Sequence, residues 1–542
     1  MIDLSGIRIP LTKLDGTEEC ELAACRNAAA KKLRVKQSDI QQLSLRRRSI
    51  DARKRSNIFV LFSVRFSLKS NERHAIQRAG KAARIVDETP YELPERQVTM
   101  DGRPVVVGAG CAGLFCALAL ASAGLAPILL ERGDDAERRT RKVTHFNDTG
   151  NLDTESNIQF GLGGAGTFSD GKLGTGTKSP AHRLILQTLV EAGAQRRILW
   201  DAKPHVGSDV LPHVVTSIVE QIERLGGEVR LRTRVTDLLL RDGRVKGVRL
   251  EHDGVESILN THDVVLACGH SARDVFLLLR DRGVSLERKT FAMGVRIEHA
   301  QQAIDRALYG SAAGHPALGA APYKLAEHLP SERSAFSFCM CPGGFVVAAA
   351  SENEGVVTNG MSLSDRAGTN ANAGLLANVF PDDLEEDDVL AGIELQRCCE
   401  QKAFELGGGG FVAPAQLVGD FLSKSRSTSP GAVIPTYPHG VRWESVDGCL
   451  PAYIVETLRA AIPRMDRKLH GFSAKDAVLT GVETRSSSPI RVTRDKEGRS
   501  ISTPGLWPCG EGAGYAGGIM SAATDGIRIA EALIRSYACM TS

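Results

Sequence analysis

The 542-residue sequence has no internal repeat and no low-complexity tract, which excludes solenoids and fibrous arrays. Its opening, MIDLSGIRIPLTKLDG, lacks a basic stretch followed by an apolar one, so no secretory leader is read there. The twelve cysteines form no paired framework and several fall in apparent core strands, which leads us to expect reduced thiols in a cytoplasmic protein. No excess of one charge stands out: a net charge of +3 calls for no special partner. With 42% hydrophobic and 24% charged residues the composition is that of a globular protein, and the length accommodates two or three domains. Glycine is the exception. Its 55 residues point to many backbone turns built around ligands.

The stretch VVVGAGCAGLFCALALASAGLAPILLERG, Val105 to Gly133, carries almost no charge before Glu131 and Arg132. Its length suits a membrane-spanning helix, but its glycines do not. Gly108, Gly110 and Gly113 form G-x-G-x-x-G directly behind three β-branched residues, which read as a buried parallel strand. A helix running to Gly124 and a second buried strand ending at Glu131 complete a strand, turn, helix and strand. In such a unit the glycines serve a tight turn, close backbone approach to a pyrophosphate, and close helix–strand packing. The helix N-terminus offers N–H groups to phosphates. Glu131, about 20 residues on, is placed to accept ribose hydroxyls.

Residues 1–95 read as a small basic α+β domain, with GIRIPL as a strand, EECELAACRNAAAKKL as a helix and two strands joined by a charged turn. Arg46, Arg47, Arg48, Arg53, Lys54 and Arg55 cluster there; they suit a nucleic-acid surface or a solvated hairpin. Phe59, Phe62 and Phe66 are the aromatics available for base stacking, although strand positions fit a core more simply. DETPYELPERQ reads as a linker. Residues 96–284 alternate strands and helices, with Asp242-Gly243 as a hairpin turn. Residues 285–474 read as an inserted α+β domain and 475–542 as a return to the nucleotide-binding domain.

Taken together, VVVGAGCAGLF, ESNIQFGLGGAGTFSDGKL, LACGHSARD, SFCMCPGGFVVAAASE, LTGVETRSSSPIRV and PCGEGAGYAGGIMSAATDG resemble the FAD enzymes built on a glutathione-reductase-like fold. More closely, they resemble the FAD-dependent dehydrogenases and oxidoreductases related to HI-type bacterial flavoproteins and the fumarate reductase group. The resemblance implies an α/β fold: a Rossmann-type FAD-binding domain with an inserted α+β substrate domain and the small N-terminal domain. It implies cofactor contacts at Gly108, Gly110, Cys111, Ala112, Gly113, Glu131, Arg132, Arg139, Gly163, Gly164, Gly166, Thr167, Val235, Gly269, Gly510, Glu511, Gly517, Gly518 and Ile519. Glu511 would accept a bond from a ribitol hydroxyl, and the last helix would direct its N-terminus at the pyrimidine edge of the flavin. Arg139 either reaches the flavin phosphates or lies on a solvated helix face.

Ser169, Asp170 and Lys172 are the nearest polar candidates for the isoalloxazine edge. In VETRSSSP, Glu483 and Arg485 suit either substrate anchoring or a buried ion pair. His270 and Arg273 suit structural or cofactor-edge roles. Cys111 and Cys116 have disulfide-reductase spacing, but five residues apart on a helix they point different ways. Cys339 and Cys341 would share one face of a strand, as core residues, a thiol pair near the flavin or metal ligands. Neither histidine nor cysteine stands in an attachment motif, so noncovalent FAD is expected. No second G-x-G-x-x-G is found: GGGG at 407–410 lacks a preceding strand and a following acid. NAD(P)H is then expected only as a transient visitor to the substrate cavity. The expected activity is hydride transfer between flavin and a substrate held under the inserted domain. A flavoprotein that binds RNA through its N-terminal domain, and a noncatalytic FAD-bound scaffold, are the alternatives.

Overall fold

The computed structural model describes residues 1–69, 72–87, 90–94, 102–385 and 387–538. The expected linker at 87–97 and the boundary at 95–96 lie partly outside them. The N-terminal unit is a four-stranded antiparallel sheet in the order Ile40–Asp51, Phe59–Leu68, Ile2–Pro10, Ala83–Ile85. Ile2, Leu4, Ile7 and Ile9 all face inward because a bulge between Leu4 and Ile7 restores the alternation. The helix Glu18–Leu33 starts at Thr17, whose hydroxyl accepts from the Cys20 N–H at 3.3 Å. Phe62 and Phe66 are buried, and the Arg8 guanidinium lies over the Phe59 ring.

The charged hairpin docks on the rest of the chain. The Arg48 N–H donates to Trp200 O at 2.7 Å, and its carbonyl accepts from the Ala202 N–H at 2.8 Å. Its guanidinium pairs with Glu21 at 2.7 Å and donates to Ala317 O at 2.5 Å. Arg53 pairs with Asp51. At least these two of the six clustered cations have internal partners.

The first large unit holds a five-stranded parallel sheet in the order Leu506–Pro508, Val264–Leu266, Val105–Val107, Ile128–Leu130, Glu228–Arg230. Alternate side chains serve two layers, as the two-residue period of a strand requires. Val106, Leu129, Val265 and Trp507 pack with the helices Cys111–Ser122, Leu211–Arg224 and Ile519–Ala538. Val105, Val107, Ile128 and Leu130 pack with the meander Thr233–Arg241, Arg244–His252 and Val255–Asn260. Asp242 and Gly243 turn its first hairpin, both at positive φ. The helix after Val107 has 12 residues and lies between two strands. Among the described residues no helix is long and apolar enough to cross a membrane.

An eight-stranded sheet forms the second large unit: Ala326–His328, Ser334–Ala348, Asn370–Val379, Phe291–Ala300, Val478–Glu483, Ala413–Leu417 and Val441–Trp443 in order, with Thr358–Ser362 on Ser334–Ala348. Val478–Glu483 pairs with Phe291–Ala300. The chain thus regains the parallel sheet only at Leu506, later than the expected position near 475.

Candidate functional site

A cavity of about 350 Å³ lies at the carboxyl ends of the parallel strands, where Val107–Gly108, Leu130–Glu131 and Ala267–Gly269 line it. Open α/β sheets place ligands there. Its wall includes Gly110, Cys111 and Ala112, then Gly163, Gly164 and Gly166, then Glu511 and Gly517–Ile519. Val235 and Arg132 also line it, as do Lys172, Gly269 and Arg485. Residues from three distant glycine-rich stretches are therefore brought to one hollow.

Gly108 turns at φ +97°, and a Cβ there would stand 2.5 Å from Ala267 O. Gly110 precedes the helix without a side-chain cap, so the first turn meets the cavity with bare backbone. At Gly164 a Cβ would fall 3.0 Å from the Gly110 Cα. Two backbone turns approach this closely only without side chains. Glu131 is buried; its carboxylate accepts from the N–H groups of Ala109, Gly133 and Gly161 at 2.8–2.9 Å. It therefore fixes three turns around the cavity while still lining it. Arg132 pairs with Glu155 and Asp274 and lies over Phe160.

Several expected contacts fall elsewhere. Arg139 is fully buried and reaches neither cofactor cavity nor solvent: it donates to the carbonyls of Asn157, Ile158, Gly161, Leu162 and Gly164. It holds the shape of the glycine loop from behind. The Thr167 hydroxyl turns inward to Leu162 O. Gly113 packs against the Gly108 carbonyl, as close helix–strand packing demands, and Gly510 packs against Ala112 while its N–H donates to Asp525. Neither forms the lining. Glu483 also lies outside it, held bidentate by Arg296 at 2.8–2.9 Å. Of the two readings for that residue, the buried ion pair is the one found.

Arg485 lines the cavity and joins a buried network. It and Arg273 both grip Glu400, and Arg485 also donates to Ser351. Burial alone would raise the Glu400 carboxyl, but the two guanidinium groups hold it down to about 2. His270 is pushed down to about 4 by burial and by Arg485 and Arg273, so its imidazole is neutral near pH 7. Its Nε2 lies 4.0 Å from Glu511. Burial lifts the Glu511 carboxyl to about 7 against the opposing charge of Lys289. Ser169 lines the cavity, whereas Asp170 is fully buried between Arg366 at 2.5 Å and Lys172 at 3.0 Å. Cys111 faces the cavity with its thiol pushed up to about 12 by burial, and Cys116 sits in the core.

Phe338, Cys339 and Asn359 of the large sheet close the cavity beyond Lys172. Of these only Cys339 was marked in the sequence. Gln159 and Phe160 were passed over although they sit inside ESNIQFGLGG, where an apolar–polar step ahead of the glycines was the available signal.

The family described as "FAD-dependent protein, C-terminal domain-like" matches residues 290–486, and a domain of unknown function matches residues 1–67. An uncharacterized protein of Clostridium beijerinckii is 44% identical over 519 residues, covering 95% of this chain and 97% of that one. The protein FixC of Salmonella typhi is 28% identical over 203 residues, 35% of this chain and 42% of that one. Among solved structures, a geranylgeranyl bacteriochlorophyll reductase-like protein from Thermoplasma acidophilum aligns over 81% of this chain and 82% of its own, at 11% identity and a TM-score of 0.35. At 44% identity over nearly the full length of both chains, this chain belongs to one family with the clostridial protein, a family whose C-terminal domain is that of FAD-dependent proteins.

Proposed function

We propose that the protein binds FAD noncovalently in the cavity and transfers a hydride between it and an organic substrate held against the large sheet. One observation carries this reading: three glycine-rich turns converge at the carboxyl ends of the parallel strands and meet side chains of a second sheet across the same hollow. The flavin supplies two-electron chemistry at its ring, and the protein supplies orientation, charge and exclusion of water.

The fit follows from the donors and spaces present. The uncapped first turn at Gly110–Ala112 offers N–H groups and the positive end of a helix to a pyrophosphate. Glu131, already accepting three N–H bonds, keeps acceptor capacity for a ribose hydroxyl. At the other end Gly518 leads into Ile519–Ala538, whose N-terminus favours negative charge. Glu511, titrating near neutrality, can donate or accept a bond there. Lys172 and Arg485 present cations to a substrate of negative or polar character, and His270 stays a neutral donor or acceptor.

An absorbance spectrum of the purified protein, with identification of the nucleotide released on unfolding, tests the cofactor. Anaerobic addition of NADH and then NADPH tests the reductant. Flavin bands that bleach with one nucleotide support a pyridine-nucleotide visitor; persistent bands place the electron donor among organic substrates. A protein that neither retains nor takes up FAD overturns the reading.

A further inference from the structure

Cys339 and Cys341 stand as C-M-C in the strand Ser334–Ala348. On a regular strand, residues two apart have Cα atoms roughly 6.5–7 Å from each other, at the far limit for a disulfide. This strand is not regular there. Phe338 pairs with Gly374 and Cys341 with Asn372, so three steps on one strand oppose two on the other. Cys339 itself takes φ +40°, in the left-handed region that a non-glycine residue rarely adopts. Such a bulge bends the strand and re-aims its side chains. The Cys341 thiol donates to Cys339 O at 3.2 Å.

The surroundings are those of an activated sulfur. Lys172 Nζ stands 3.8 Å and Arg296 Nη2 3.7 Å from Cys341 Sγ. Burial raises the Cys341 thiol, but the bond from Cys339 and the two cations outweigh it and bring it below its ordinary value. Cys339 moves the opposite way, through its bond to Cys341 and its burial. The pair thus holds one proton firmly and releases the other readily. Cys339 lines the cavity in company with Lys172, while Cys341 sits behind it. Small core residues would require neither a left-handed bulge nor a sulfur within reach of Lys172 and Arg296, which also hold Asp170 and Glu483.

We propose that Cys339 and Cys341 form a redox-active dithiol that exchanges two electrons with the flavin of the cavity. In the oxidising direction the Cys341 thiolate and the Cys339 thiol join as a disulfide. The Cys339 proton leaves, and the electron pair passes to oxidised flavin, which takes up one proton and becomes the anionic hydroquinone. The reverse step breaks the S–S bond and returns the proton to Cys339. No other co-reactant is needed. Exchange with flavin rests on the reading of the cavity given above, whereas formation of the disulfide does not.

The experiment uses the full-length protein, equilibrated with graded ratios of reduced to oxidised dithiothreitol, quenched in acid, alkylated and mapped by mass. The tryptic stretch Ser334–Arg366 holds only these two cysteines. It should pass from two alkyl groups to none, two hydrogens lighter, while peptides carrying Cys25, Cys116 and Cys449 stay alkylated. Reduced FAD added under argon should restore both alkylation sites. In Lys172→Gln, closure of the disulfide near neutral pH should slow about tenfold. Two free thiols at every ratio, or a disulfide that appears only after unfolding, would overturn the proposal. A disulfide that reduced FAD leaves closed in FAD-binding protein removes the exchange with flavin. Failure to bind FAD with the disulfide intact strikes the reading of the cavity instead.

Discussion

Arg139→Met removes a buried guanidinium that, among the described residues, forms an ion pair with no carboxylate and that organises the loop Asn157–Gly164 through five carbonyls. Some acceptors keep a second donor: Gly161 O has the Gly164 N–H, and Leu162 O has the Thr167 hydroxyl. Among the described residues Asn157 O and Ile158 O depend on Arg139 alone. An orphaned buried acceptor costs about 1–3 kcal/mol, so these two together cost about 4 kcal/mol. The weakened bonding of the other three adds to that. The loss should fall on local opening of the loop, because the strands and helices beneath it keep their own bonds. A 4 kcal/mol fall in opening free energy is roughly a thousandfold loss of hydrogen-exchange protection. The amides to read are Gly161, Leu162 and Gly163, which donate to Glu131, Asp134 and Ala109. Arg139→Lys, with three donors in place of five, should lie between Met and wild type. Protection unchanged within threefold in Arg139→Met, with unaltered FAD affinity, would refute the assignment of Arg139 as the support of the loop.

Gly108→Ala places a methyl 2.5 Å from Ala267 O in left-handed backbone; FAD affinity should drop at least tenfold, as read from the flavin-to-protein ratio after dialysis. For Glu511, whose carboxyl titrates near 7, an anionic ligand alongside raises it further, so binding takes up a proton. FAD affinity should therefore fall as pH rises through neutrality, by at most about tenfold per unit, and Glu511→Gln should flatten a titration run at about pH 6 to 8. Glu400 is held down to about 2 by Arg485 and Arg273, below the ordinary glutamate value of about 4.3. Its contribution, about 3 kcal/mol, is present above that ordinary value and lost as pH falls toward the depressed one. Glu400→Gln should lower Tm sharply at neutral pH, by the equivalent of about 3–5 kcal/mol, and flatten the fall of Tm on acidification.

What could be read in the sequence was whatever is encoded locally. Gly108, Gly110 and Gly113 declare their turn because strand, glycines and helix follow within a few residues, and Asp242-Gly243 declares its hairpin for the same reason. The roles of Arg139 and Glu483 depend on distant partners. The carbonyls that Arg139 holds lie 18 to 25 residues away in irregular chain, and carbonyls leave no mark in a sequence. Glu483 meets Arg296 across 187 residues. Val478–Glu483 is six buried residues, a pattern equally at home in either large sheet, so only its pairing decides membership. The C-M-C spacing suggested one shared strand face because alternation presumes a regular ladder. The bulge at Cys339 arises from the register against Asn370–Val379, which the strand's own residues do not specify.

Arg48 fastens the N-terminal sheet to both large units at once, through the backbone at Trp200 and Ala202 and through Ala317 O. Gly16 seats against Pro316 so tightly that an added Cβ would lie 2.9 Å away. A small appendage placed in this way acts as a rivet across two plates. Swinging the eight-stranded sheet away from the parallel one would break these contacts of Arg48 and Gly16. A second hollow of about 420 Å³ shares Gly174, Gly517 and Gly518 with the main cavity and continues along Thr175–Thr177 and Tyr515. The main cavity thus runs on outward between two loops, along Thr175, Thr177, Lys289 and Ser521, and not along a seam between the two sheets.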